Sequence, residues 1–258
     1  MSDYYCGKYP VIDNSTISNG IYSLVFKSAD IASAAKAGQF VQVRVPGFTL
    51  RRPVSVCDVD VAAGTVRLVY EVRGEGTAVL AGLHPGDGVD VIAPLGNGYP
   101  AVPGLTLPGC NIPRVLLAGG GIGVPPLLLA ARTLAATGCD VSAYLGFRDS
   151  SRVILTDEFK SAGAAVESYV GGTFISDINV ADYHYIFACG PAPMLKAIAG
   201  KCAGHTDTAL YLSLEERMAC GVGACVGCAV RVRDGDGTVM KRVCKDGPVF
   251  SGSEVCFE

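Results

Sequence analysis

Val115-Leu116-Leu117-Ala118-Gly119-Gly120-Gly121-Ile122-Gly123-Val124-Pro125-Pro126 is the stretch on which the fold turns, its apolar character running on to Ala131 between Arg114 and Arg132. By hydropathy alone it is the one segment that competes as a membrane span. It is short for the ~20 apolar residues such a helix needs, and its glycines and paired prolines interrupt it. An apolar run without alternation, then a glycine turn, then a helix with prolines in its first turn is the pattern of a strand buried on both faces feeding a helix. We therefore expect no transmembrane helix and place Val115–Ala118 in a strand and Pro125–Thr137 in a helix.

Toward the C-terminus the alternation continues. Val141–Leu145, Val166–Val170, Tyr185–Ala188 and Ala209–Leu212 read as strands. Asp157–Ser161 starts a helix, and another runs from Pro191 to about Ala199. Strands separated by helices predict a parallel α/β sheet. Toward the N-terminus the period changes to two. Val41, Val43 and Val45 alternate with Gln42 and Arg44, while Val66, Leu68, Tyr70 and Val72 alternate with Arg67, Val69 and Glu71. With short runs at Tyr22–Phe26 and Val89–Ile92, and turns at Pro46-Gly47, Ala63-Gly64 and Pro85–Gly88, this half predicts a small barrel or sandwich. Past Glu215 the chain is rich in Cys and Gly and ends in a hairpin, Ala229–Val232 with Thr238–Val243, across Asp234–Gly237.

Composition narrows the function. At roughly 150 residues per domain, 258 residues make about two domains. Half the residues are hydrophobic and only 17% are charged, which excludes a disordered chain. The 33 glycines suit a backbone that approaches ligands closely. A net charge of −3 with no basic tract gives no electrostatic ground for nucleic acid. Met1–Pro10 lacks the features of a signal peptide. The 11 cysteines are odd in number, and most stand alone, at positions 6, 57, 110, 139, 189, 202 and 256. That is no secreted disulfide framework, and a reducing cytoplasm is expected.

The strongest chemical signal is Cys220-x4-Cys225-x2-Cys228, with Cys244 after fifteen intervening residues. This is plant-type [2Fe–2S] spacing. Gly221, Gly223, Ala224 and Gly227 let backbone N–H groups approach bridging sulfides. Four cysteines can also hold a tetrahedral zinc, though zinc knuckles normally pair their ligands as C-x2-C. Two further signals concern phosphates. Arg52 in Arg51–Ser55 offers a forked, permanent cation to a pyrophosphate, and Ser55 a hydrogen bond to a flavin edge. Gly74-Glu75-Gly76-Thr77 opens the helix-like Ala78–Gly82, where Thr77 can cap. Gly119, Gly120, Gly121, Ile122 and Gly123 occupy the turn where a nucleotide pyrophosphate sits, and Cys189-Gly190-Pro191 follows a later strand of the same sheet. His84, His184 and His205 are isolated. No nucleophile–base set emerges, leaving redox chemistry delegated to cofactors.

In this order the motifs resemble the ferredoxin–NADP⁺ reductase superfamily. Arg52-Pro53-Val54-Ser55 is similar to its flavin motif, Gly74–Thr77 to its second phosphate loop, and Pro94–Gly98 to its end-of-barrel turn. Gly119–Gly123 and Cys189–Pro191 are similar to its nicotinamide loops. Met218–Cys228, with Cys244-Lys245-Asp246-Gly247-Pro248, resembles the electron-transfer subunits of class 1B dihydroorotate dehydrogenases. The resemblance implies an antiparallel flavin β-barrel at 1–103, a parallel-sheet nicotinamide α/β domain at 104–213 and a small [2Fe–2S] domain at 214–258. It implies FAD on Arg52 to Ser55, on Val69, Tyr70 and Glu71, and on Gly76 and Thr77. The cluster falls to Cys220, Cys225, Cys228 and Cys244, and NAD is the substrate. It also implies an FMN-bearing catalytic subunit, two of each chain, oxidising dihydroorotate to orotate in pyrimidine biosynthesis. The rival is the small subunit of an NADPH-dependent ferredoxin oxidoreductase. Asp149 favours NAD by repelling a 2′-phosphate and Arg148 argues the other way, so the residues leave that choice open.

Overall fold

The computed structural model describes residues 4–102 and 112–257. The expected boundary at 103/104 and Cys110 lie outside them. The first part is a closed antiparallel barrel of six strands: β1 (Tyr5–Ser18), β2 (Ile21–Lys27), β3 (Phe40–Val43), β4 (Arg52–Asp60), β5 (Thr65–Glu71) and β6 (Gly88–Leu95), ordered β1-β2-β5-β4-β3-β6. Two short helices, α1 (Ala29–Ala34) and α2 (Glu75–Ala81), complete it. Its interior is the inward half of each alternating strand, with Leu24, Phe26, Val41, Val43, Val56 and Leu68 fully buried. Each such side chain contributes about 1.5–3 kcal/mol on leaving water.

Two alternations did not keep their polar face. Gln42 is fully buried, and Val69 is buried on the outside of the barrel in the core of the next domain. In both cases another part of the chain covers what would otherwise be the solvent side. β1 was not legible as a strand. Its Lys8, Asp13 and Ser15 are exposed and Asn14 spends its amide on the carbonyls of Leu80 and Leu83, so it carries little apolar period, yet it closes the barrel between β2 and β6.

The second part is a six-stranded sheet, ordered β14-β11-β10-β7-β8-β9. Its strands are β7 (Arg114–Gly120), β8 (Asp140–Phe147), β9 (Ala165–Val170), β10 (Tyr185–Cys189), β11 (Ala209–Ser213) and β14 (Val249–Ser251). The helices are α3 (Leu128–Ala136), α4 (Thr156–Ser161) and α5 (Ala192–Cys202). β7 is central and fully buried from Val115 to Ala118, as its unbroken apolar run requires. The first turn of the expected Pro125–Thr137 helix is a 3-10 turn at Pro125–Leu127, a common way for an α-helix to begin. Five strands are parallel, as expected. The sixth, β14, is antiparallel to β11 and comes from the C-terminal segment, so the sheet is mixed. The hairpin of β12 (Ala229–Asp234) and β13 (Gly237–Arg242) stands apart as a two-stranded sheet. No helix among the described residues is long and apolar enough to cross a membrane.

Candidate functional site

The chain leaves β7 toward β8 and β9 on one side, and returns through β10 and β11 on the other. The turns after β7 and β10 therefore flank the switch point at the C-terminal ends of the strands, where α/β sheets bind ligands. A cleft of about 290 Å³ opens there, lined by Gly120, Gly121, Ile122 and Gly123 from one turn and Gly190 and Pro191 from the other. Gly119 lies beneath it: a Cβ there would press on Val124 and Leu127, so its role is packing. At Gly123 a Cβ would stand 2.5 Å from the Cys189 carbonyl carbon and 2.6 Å from the Gly190 nitrogen, so only glycine lets the two turns meet. Arg148 lines the cleft. Asp149 instead caps the following 3-10 turn, accepting from the Ser151 N–H at 3.1 Å.

A second cleft, of about 250 Å³, gathers Arg52, Pro53, Val54 and Ser55 from β4, Val69, Tyr70 and Glu71 from β5, and Thr77. Gly76 is not on its wall. A Cβ there would lie 2.7 Å from the Arg52 guanidinium, so the glycine lets that cation lie against the turn that opens α2. Thr77 Oγ1 accepts from the N–H groups of Arg73 at 2.9 Å and Gly74 at 3.2 Å, tying the turn to the helix. The two clefts share Glu71, Arg73, Ile122 and Glu215 as a common wall. Cys189 faces the second cleft, and burial pushes its thiol up to about 12, keeping the sulfur uncharged there. Ser213, Leu214, Glu215, Glu216, Met218 and Pro248 also close this cleft. Sequence reasoning assigned none of them to a cleft. Met218 and Pro248 fall within the cysteine motif and Ser213 ends β11, but Leu214, Glu215 and Glu216 belong to no motif, and the turn of the chain from β11 into the C-terminal segment brings them to this wall.

That segment carries the cysteines. Met218, on the cleft wall, is two residues from Cys220, at most about 7 Å of extended chain. Cys220 Sγ accepts from the N–H groups of Ala224 at 3.3 Å and Cys225 at 3.4 Å. Burial would raise this thiol, but bonds from the Cys225, Val222 and Ala224 backbone and the Cys225 side chain outweigh it and lower it to about 6. Cys228 and Cys244 are buried, and the Cys244 thiol is pushed up to about 12 by burial and then by Cys228 beside it. Among the described residues no three His, Cys, Asp or Glu side chains gather as ligands of one ion. The cysteines come instead as two pairs, Cys220 with Cys225 and Cys228 with Cys244. Two pairs fit a binuclear cluster, each iron taking one pair, better than a single tetrahedral zinc.

The loop is held from both sides. Arg242 donates to the Gly223 carbonyl at 2.9 Å and, through Nε, to Asp246 at 3.1 Å. The end-of-barrel turn reaches the segment after Cys244, with Asn97 Nδ2 3.1 Å from the carbonyls of Lys245 and Asp246. Val226 stands outside, 56% exposed, at φ +60° next to the exposed Cys225. Such a backbone is costly for a β-branched residue.

Residues 215–256 match the family described as the iron-sulfur cluster binding domain of dihydroorotate dehydrogenase B. Over 258 aligned residues the chain is 40% identical to the electron transfer subunit of dihydroorotate dehydrogenase B (NAD(+)) from Bacillus caldolyticus, covering 95% of this chain and 96% of the relative. It belongs to this family of electron transfer subunits. The Bacillus velezensis dihydroorotate dehydrogenase B subunit is 39% identical, with 95% and 96% covered. Among solved structures, an NADH-dependent reduced ferredoxin-NADP oxidoreductase superposes with a TM-score of 0.81 at 28% identity, over 96% of this chain and 89% of that one. Phthalate dioxygenase reductase superposes at 0.63 with 17% identity, over 93% and 94%, which speaks to fold alone. As a dihydroorotate dehydrogenase B electron transfer subunit, the chain is an oxidoreductase component. The rival expectation, the small subunit of a ferredoxin oxidoreductase, has the lower identity.

Proposed function

We propose that this subunit carries electrons from a catalytic dihydroorotate dehydrogenase subunit bearing FMN through a [2Fe–2S] cluster and FAD to NAD⁺, in a complex of two copies of each chain. The cluster accepts one electron at a time, nicotinamide takes two as a hydride, and FAD does both, so FAD belongs between them. The observation that carries the reading is the order of the sites along one seam. The cysteine loop adjoins the second cleft through Met218, and the second cleft shares its wall with the first.

The residues divide the work accordingly. Arg52 offers its cation to a diphosphate, and the backbone of Val69 to Glu71 lines the flavin cleft beside Pro53, Val54 and Ser55. Gly120 to Gly123, with Gly190 and Pro191, hold the nucleotide at the switch point, beyond the C-terminal ends of β7 and β10. Cys220, Cys225, Cys228 and Cys244 hold the cluster, and Cys225, Val226 and Gly227 turn its edge outward toward the catalytic partner. The three modules expected at 1–103, 104–213 and 214–258 carry these three groups.

Cys225→Ser in the reconstituted complex tests the order. Electron transfer between the catalytic subunit and NAD⁺ is expected to fall by about two orders of magnitude, with reduction of bound flavin by NADH retained. Equal loss of both would refute it. Light scattering on the complex reads the stoichiometry.

A further inference from the structure

We propose that Gln42 is a positioning residue for the iron–sulfur cluster, its side-chain amide seating the Cys220–Gly221 bend and raising the cluster's reduction potential. The inference rests on the cofactor reading above. β3 is buried on both faces, and Gln42 is fully inaccessible although its place in the strand alternation puts it on the side away from the barrel core. What covers it is the cysteine loop. A Cβ on Gly221 would lie 2.5 Å from Gln42 Cγ, so this glycine, at φ +70°, is the only residue type that lets the loop close on the amide.

The amide is poorly satisfied where it sits. Nε2 donates only to the Met218 thioether, a weak acceptor, at 3.9 Å, and Oε1 has no partner although it is buried. A buried carbonyl without a donor is destabilising, and an apolar side chain of the same shape would avoid that penalty. The backbone that carries it is anchored. Arg51 Nη1 donates to the Gln42 backbone carbonyl at 3.3 Å and to the Asp90 carbonyl at 3.2 Å. Arg51 Nη2 lies 2.8 Å from Asp90 Oδ1, a charge contact without hydrogen-bond alignment. The flavin barrel thus presents the amide, Nε2 toward Gly221, to the residue that follows the first cluster ligand. In dry surroundings such an amide dipole favours added negative charge, and reduction of the cluster adds one.

The test uses the full chain in complex with its catalytic subunit, carrying Gln42→Met, close in shape but without the amide, or Gln42→Glu. Potentiometric titration followed by electron paramagnetic resonance reads the cluster, and flavin bleaching by NADH serves as the internal control. Gln42→Met should move the cluster midpoint to more negative potential and change its resonance, Gln42→Glu should move it further, and flavin bleaching should stay as in the wild type. Should Gln42→Met not fold, Gly221→Ala presses on the same amide from the loop side and should perturb the same cluster signals. An unchanged midpoint and resonance in a folded, cluster-loaded variant would overturn the proposal, as would loss of the cluster with flavin kept, which reduces Gln42 to packing. A wild-type protein without acid-labile sulfide would overturn the cofactor reading itself, and the proposal with it, before any variant is made.

Discussion

Gly123 stands where two turns cross, and no other residue is tolerated there for a reason different from conformational freedom: its neighbours are backbone atoms of Cys189 and Gly190, which cannot rotate aside. Gly123→Ala should therefore part the two turns and cost about 1–3 kcal/mol as overpacking, seen in thermal unfolding. NADH titration should show weakened nucleotide binding with flavin content intact. Gly121, in the same turn, has open space around its missing Cβ and only its φ of +55° to defend, about 1–2 kcal/mol of backbone strain for a non-glycine residue. The run Gly119–Gly123 was legible as a turn between strand and helix, but it did not announce that Gly119 packs, Gly121 bends and Gly123 admits a neighbour. Those roles depend on what each position faces.

At the scale of elements, β14 ties the cysteine segment to the six-stranded sheet. Phe250 pairs with Leu212, lies against Gly247 and is buried in the core that also holds Cys228 and Cys244, so sheet packing and the cysteine segment share one core. Phe250→Ala should cost about 3–5 kcal/mol by leaving a cavity. It should also shorten the time over which a chelator strips iron from the holoprotein, and thermal unfolding with iron release measures both. β14 is three residues long and was not legible as a strand, because so short an apolar run carries no period. The hairpin of β12 and β13 was legible from its Asp-Gly-Asp-Gly turn, since that chemistry is local.

Across the whole molecule, three arginine–carboxylate pairs join barrel to sheet: Arg67 with Glu158 at 2.5 Å, Arg132 with Asp58 at 2.9 Å, and Arg152 with Glu71. Glu71 also accepts from Arg73 at 2.7 Å, at the wall both clefts share. Burial raises its carboxyl, but the bonds from Arg152 and Arg73 outweigh burial and hold it below the ordinary carboxylate range. A depressed value means that the ionised clamp stabilises the fold above the unfolded-state value and is lost as pH falls through the folded one. Glu71→Gln should lower stability by about 1 kcal/mol at neutral pH, because both arginines are partly solvated. The gap to wild type should close in acid. Denaturant midpoints across that range check it, and a gap independent of pH would show that the charge contributes nothing.

The sequence by itself determined what is local or periodic. Cysteine spacing, glycine turns, the two-residue period of the barrel strands and the unbroken run of the central strand all depend on residues near one another in the chain. Only the tertiary structure decided that Gln42 and Val69 are buried on their outward faces, that Ser213 to Glu216 and Met218 close the second cleft, and that β14 completes the six-stranded sheet. In each case burial comes from a surface supplied by a distant segment. A hydrophobic or polar side chain carries no record of which remote surface will cover it.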